Sequence, residues 1–86
     1  MKLSTKPSAK ELVERARIQR VGTSGIGSAH YRAYCSKDDI AALLDAGALY
    51  LQRNIRSPEG HYGTDVAFVD ENGVRYIFRA ITDEPI

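Results

Sequence analysis

Residues 36–79 leave this chain few folds to choose from, because they carry helix-start, helix-stop and hairpin signals in a fixed order. Ser36 can cap a helix, and Asp39 three residues later can return the hydrogen bond as a capping box. Ile40, Leu43 and Leu44 then recur at i, i+3, i+4 spacing, so this helix has one apolar side to bury. Further on, residues 66–69 and 74–78, rich in β-branched and aromatic side chains, flank Asp70-Glu71-Asn72-Gly73. Asn-Gly before such a run is a hairpin signal, since both residues accept positive φ. These signals predict a helix laid against a hairpin.

Gly47 decides what lies between them. If the helix continues through it, Ile40, Leu43, Leu44, Gly47 and Leu51 form one face that ends near Asn54. If Gly47 is a left-handed cap, residues 48–56 become a strand with Leu49, Leu51 and Ile55 on one side. Tyr50, Gln52, Asn54 and Arg56 then occupy the other side. Periodicity does not separate the two readings, but a mid-helix glycine costs about 1 kcal/mol relative to alanine, which favours the cap. On that reading the carboxyl half is a three-stranded meander over 48–56, 64–70 and 74–81, with 57–63 as a long loop. Val66 and Phe68 share one face of the second strand, and Val74, Tyr76 and Phe78 one face of the third.

Upstream, residues 1–7 are polar and predict a mobile arm. Ser8 and Glu11 form a second capping box, and Leu12, Val13 and Ala16 a narrow apolar stripe, so a helix is expected over about 8–20. Ile18 lies off that stripe, which leaves a short strand over 17–21 as the competing reading. Three glycines make 22–28 a loop. Residues 29–35 alternate His30, Arg32 and Tyr34 against Tyr31, Ala33 and Cys35, which suggests a strand, with a short helix as the alternative. The acidic tail 82–86, interrupted by Pro85, is expected to fray. The fold class is therefore α+β: an N-terminal and a central helix packed on an antiparallel sheet in a single domain over 8–81. Eighty-six residues, 43% hydrophobic and 27% charged, suit one soluble domain with a modest core.

Composition also narrows function. A single cysteine, Cys35, gives neither an internal disulfide nor a cysteine-based zinc set. No apolar run approaches 18 residues, and the charged start lacks the apolar core of a secretory signal, so a cytoplasmic protein with no membrane segment is expected. Charge is split: residues 1–35 hold seven Lys/Arg and two Glu, whereas 36–86 hold five Lys/Arg and nine Asp/Glu. One face is thus expected to be basic and another acidic, if folding keeps the two sets apart.

No catalytic or metal-binding pattern emerges. The glycine loop reads G-x-x-G-x-G without the Lys-Ser/Thr of a phosphate-binding loop, so a plain connection explains it. His30 and Cys35, five residues apart on a strand, point to opposite faces, so Cys35 reads as a buried structural thiol. His30, His61 and Asp65 lack the spacing of a metal site. Asp38 and Asp39 are accounted for by a helix start. No cofactor and no metal are expected, and no enzyme.

Five tyrosines and no tryptophan are the least ordinary feature. Tyr34 and Tyr76 read as core edge. Tyr50, beside Gln52, Asn54 and Arg56 on a solvent-facing strand, and Tyr62 in a glycine-flanked loop read as binding-surface tyrosines. The expected function is a small non-enzymatic protein-binding module, an inhibitor or adaptor of the kind carried by phages and mobile elements. The alternative is a nucleic-acid binder. Residues 43–50 followed by strand, loop and strand resemble the last helix and wing of winged-helix regulators, with 8–20 and 29–35 as the first two helices and 57–63 as the wing tip. That helix would present Asp38, Asp39 and Asp45 to phosphates without any arginine, so a basic patch of Arg15, Arg17, Arg20 and Arg32 is the less demanding version.

Overall fold

A computed structural model describes residues 8–19 and 30–86, apart from the side chains of Ile18, Gln19 and His30. The expected N-terminal arm, the glycine loop and Arg20 lie outside the described residues. The elements are α1 (Ala9–Gln19), β1 (His30–Tyr34), α2 (Lys37–Asp45), β2 (Leu49–Arg56), β3 (Tyr62–Val69) and β4 (Arg75–Thr82). The four strands form one sheet in the order β1-β4-β3-β2. The α+β class and the β2-β3-β4 meander agree with the sequence analysis. The sheet, however, is mixed rather than antiparallel, because β1 runs parallel to β4. A parallel neighbour needs a crossover. Here α2 packs across β4 and β3 and delivers the chain to the far edge, from which the meander returns to β1.

Both helices begin with the expected reciprocal caps. The Glu11 N–H donates to Ser8 Oγ at 3.2 Å and the Ser8 N–H to Glu11 Oε1 at 2.8 Å. Those bonds hold the Glu11 carboxyl below its ordinary range. In α2 the Asp39 N–H donates to Ser36 Oγ at 3.2 Å and the Ser36 N–H to Asp39 Oδ2 at 3.0 Å. Helix α1 continues through Gln19, so residues 17–19 are helical rather than a strand, and 30–34 are a strand rather than a helix.

Helix α2 stops at Gly47, as the cap reading requires. Gly47 has φ +104°, its N–H donates to Leu44 O at 3.0 Å, and the Ala48 N–H donates to Leu43 O at 2.9 Å. Those are the two bonds of a Schellman motif. A Cβ at Gly47 would meet no atom within 4 Å, so only backbone conformation opposes a side chain there. Gly47→Ala is expected to destabilise the protein by about 1 kcal/mol or more, read by chemical denaturation. A gain in stability would contradict the cap.

The core lies between the helices and one face of the sheet. Leu12, Val13 and Ala16 of α1 and Ile40 and Leu43 of α2 meet Ala33, Val66, Tyr76, Phe78 and Ala80. Tyr31, Tyr76 and Phe78 stack in sequence, with ring centroids 5.4 and 6.4 Å apart.

The two hairpin turns share one construction. Residues 57–61 and 70–74 each close with a first-residue N–H to fifth-residue carbonyl bond (2.8 and 2.9 Å), with a positive-φ glycine fourth, Gly60 or Gly73. In each, a side chain of the first residue, Ser57 Oγ or Asp70 Oδ1, accepts from the fifth residue's N–H. The expected long loop 57–63 is therefore a five-residue turn, and only Gly73 of the Asn-Gly pair uses positive φ. Burial pushes the Asp70 carboxyl up, but the N–H groups of Val74 and Asn72 and the Tyr76 hydroxyl, 3.0 Å away, outweigh it and leave it below its ordinary value. A depressed carboxyl stabilises the fold above its unfolded pKa, near about 4, and loses that contribution as pH falls further. Asp70→Asn is accordingly expected to flatten part of the acid limb of a stability-versus-pH curve.

In the tail, expected to fray, Ile86 is hydrogen-bonded to β2. Asn54 Nδ2 donates to Ile86 O at 2.9 Å, the Ile86 N–H donates to Asn54 Oδ1 at 2.7 Å, and Arg53 Nη2 donates to Ile86 O at 3.1 Å. Those bonds tie the chain end to β2.

Candidate functional site

Strand β4 sorts the two faces of the sheet. Tyr76, Phe78 and Ala80 are buried towards the helices, while Arg75, Ile77, Arg79 and Ile81 alternate onto the other face. Paired residues share a face, so the register extends this open face across the sheet. Arg32, Ile77, Ala67 and Leu49 form one row, Tyr34, Arg79, Asp65 and Gln52 the next, and Ile81, Gly63 and Ile55 a third; Arg75 pairs with Val69 at the margin. Neither helix packs on this face. Leu49 is 72% exposed, Tyr34 60%, Val69 56%, Ile55 54% and Ile81 53%. Large apolar side chains left this open on one face mark a candidate interaction surface.

Strand β2 differs most from the expectation. The anticipated inward face of Leu49, Leu51 and Ile55 is exposed, because the helices pack on β1, β4 and β3 and β2 is the sheet's edge. The alternation is also broken by two irregularities, between Tyr50 and Gln52 and between Gln52 and Ile55. Tyr50 pairs with Val66 and Gln52 with Asp65, successive residues of β3, so Tyr50 and Gln52 lie on opposite faces rather than together. Asn54 takes φ +55° within the second irregularity and spends its side chain on Ile86 and Thr64, so it is a structural clamp and not a free surface residue. Arg56 pairs with Tyr62 on the helix-side face, and Tyr50, with the Arg53 guanidinium 4.9 Å above its ring, is on that face too. Tyr62 opens β3 instead of sitting at a loop tip. Of Tyr50, Gln52, Asn54, Arg56 and Tyr62, only Gln52 stands in register on the open face, although Arg56 and Tyr62 also line a depression at its end.

At the centre of that face Arg79 grips Asp65 with two hydrogen bonds, Nε to Oδ1 at 2.7 Å and Nη2 to Oδ2 at 2.9 Å. Asp65 is buried beneath its partner, whereas the Arg79 side chain is half exposed. Nη1 has no intramolecular partner among the described residues and remains available as a donor. Beside the pair, a shallow depression of about 190 Å³ runs over Gly63 between Ile55 and Ile81, bordered by Arg56, Ser57 and His61.

The arginines of the nucleic-acid reading are not gathered. Arg15 on α1 lies 3.9 Å from Asp39, and Arg17 is on the same helix. Arg32 is on the opposite side of the sheet, and Arg20 is outside the described residues. The winged-helix arrangement also fails, since its second helix is strand β1. Tyr34, expected at the core edge, is exposed, whereas Tyr76 is fully buried. Nothing in the sequence separates these two tyrosines except which side of a strand each occupies. The signal that could have revealed the open face was the Arg75, Arg79 and Ile81 phase of β4, opposite Tyr76, Phe78 and Ala80.

Cys35 is half-buried, and burial, reinforced by Asp39 and partly offset by Arg15, pushes its thiol up to about 12. Relative to an unfolded chain, about 10³-fold less thiolate is partly offset by its greater nucleophilicity, so native labelling at pH 8 should be roughly 40-fold slower or more. A thiol-reagent time course with and without denaturant checks this. Among the described residues no His, Cys, Asp and Glu groups are placed to hold a metal ion, and no helix is long and apolar enough to cross a membrane.

The fold defines a small α+β domain in which, among the described residues, helices cover one sheet surface and leave the other open. No family model matches the chain, and no curated protein or solved structure is found to be similar to it.

Proposed function

We propose that the protein is a non-enzymatic binding module, an inhibitor or adaptor, that docks onto another protein through the open face of its sheet. The observation that carries this reading is the row arrangement of Leu49, Ile55, Val69 and Ile81, more than half exposed around a central ion pair. An apolar surface with a satisfied polar centre has the composition of a protein interface. Covering what remains exposed of such side chains is worth up to about 1–2 kcal/mol each, before the costs of association.

Nucleic acid is the second reading, favoured by one observation: Arg32 and Arg75 share the open face with exposed Tyr34. Arginine beside an aromatic ring is a platform on which single strands stack. Those groups occupy only the β1 side, and the β2 side is apolar. The test is affinity capture from the native host with wild type and with Leu49→Asp and Val69→Asp variants, which place charge on the face without touching the core. A protein captured by wild type and lost with both variants, with weak salt dependence and no effect of nuclease, supports the first reading. Capture that is indifferent to the variants, or steeply salt-dependent and abolished by nuclease, overturns it.

A further inference from the structure

We infer that the trough over Gly63 is a docking slot for one aliphatic side chain of a partner protein that carries a carboxylate beside it. The inference rests on the protein-docking reading above and adds the chemistry that the partner must present. Gly63 pairs with Ile55 on one side and Ile81 on the other, so the three stand abreast on the open face. The missing side chain leaves two exposed isoleucines as walls and backbone as floor. A Cβ at Gly63 would lie 3.8 Å from both Ile55 O and Ile81 Cδ1, in ordinary contact, so the trough is wide enough for a side chain and is not closed by its walls.

Backbone conformation does not account for glycine here. Gly47, Gly60 and Gly73 have positive φ, and Gly63 does not. A glycine inside a strand forfeits packing, and it suits a position where another chain approaches closely. The polar end of the trough specifies the partner further. Asp65 is already neutralised by Arg79, whose side chain is half exposed and whose Nη1 has no partner among the described residues. Arg56 lines the same depression, as does His61, whose Nδ1 is already held 3.1 Å from Asp83 Oδ1. A carboxylate placed beside the aliphatic group would take the Nη1 hydrogens as a charge-assisted bond without displacing Asp65. A second copy of this chain fits less well, since the only carboxylate among the residues lining the trough is Asp65, which Arg79 already holds. The occupant is therefore an acidic, aliphatic segment of a different protein.

Random peptides displayed on phage and selected against the folded wild-type protein provide the probe. Enriched peptides should pair Leu, Ile, Val or Met with Asp or Glu within a few residues. Synthetic versions should lose about tenfold or more in affinity for Gly63→Val, because filling a side-chain-sized slot discriminates on that scale. The unfolding midpoint of Gly63→Val should be unchanged or higher, since valine suits a strand; if it is lower, Gly63→Ala, which adds one methyl group, takes its place in the same comparison. Arg79→Lys keeps a charge for Asp65 but loses the fork, and should weaken the acidic peptides without further effect on their Asp→Asn or Glu→Gln counterparts. Equal binding by Gly63→Val and wild type, with binding lost in Leu49→Asp, overturns the slot and leaves the face standing. Binding unaffected by either variant, or no enrichment at all, overturns both. Enrichment of basic peptides, or wild-type dimers that Gly63→Val converts to monomers, overturns the acidic partner.

Discussion

Phe78→Ala is expected to cost about 3–5 kcal/mol, the largest effect of any single substitution considered for this chain. Phe78 is fully buried on the central strand pair, between Ala33 of β1 and Val66 of β3, with Tyr76 stacked beside it. Strand β4 is hydrogen-bonded on both sides, so the backbone cannot move inward to fill the space that the ring leaves. Alanine therefore loses the transfer free energy of the ring and leaves a cavity under α2 as well. A domain of this size is stabilised by roughly 4–13 kcal/mol in total, so such a loss is a large share of it. Chemical denaturation beside Phe78→Leu, which keeps most of the volume, separates cavity from chemistry. A loss below about 1 kcal/mol would mean that the core is not packed as described.

Asn54→Ala comes next, at about 2–5 kcal/mol. Two separate terms add. Alanine at φ +55° incurs the left-handed penalty that asparagine tolerates better, about 1–2 kcal/mol. Truncation also removes the two bonds by which the side chain holds Ile86, worth about 0.5–1.5 kcal/mol each. Asn54→Gly distinguishes the terms, because glycine accepts the backbone conformation and loses only the clamp. The expected order of stability is wild type, then glycine, then alanine, by equilibrium unfolding. A glycine variant as stable as wild type would show that the tail contacts contribute nothing.

The features legible in the sequence are those whose hydrogen bonds close within about five residues. Ser36 and Asp39, Ser8 and Glu11, Gly47 after Leu44, and Gly73 after Asp70 each specify a cap or turn through neighbours, so residue type and spacing suffice. The apolar stripes of α1 and α2 and the phase of Tyr76 and Phe78 were readable for a related reason: regular helix and strand geometry fixes which residues share a face. From these alone come the α+β class, the helix stop and the meander.

Tertiary structure decided the rest. The parallel pairing of β1 with β4 depends on partners some 45 residues apart and on the path of α2, which no local pattern encodes. Strand β2 shows a period of two in sequence, yet its two irregularities and the positive φ of Asn54 set Tyr50 and Gln52 on opposite faces. Burial was the other unknown. Leu49 and Ile55 look like core residues, and they are exposed because the helical layer packs on β1, β4 and β3. The Asp65–Arg79 pair, the Gly63 trough and the clamp on Ile86 likewise exist only once separate strands stand side by side, so sequence alone determined the elements while packing determined which surface was left for a partner.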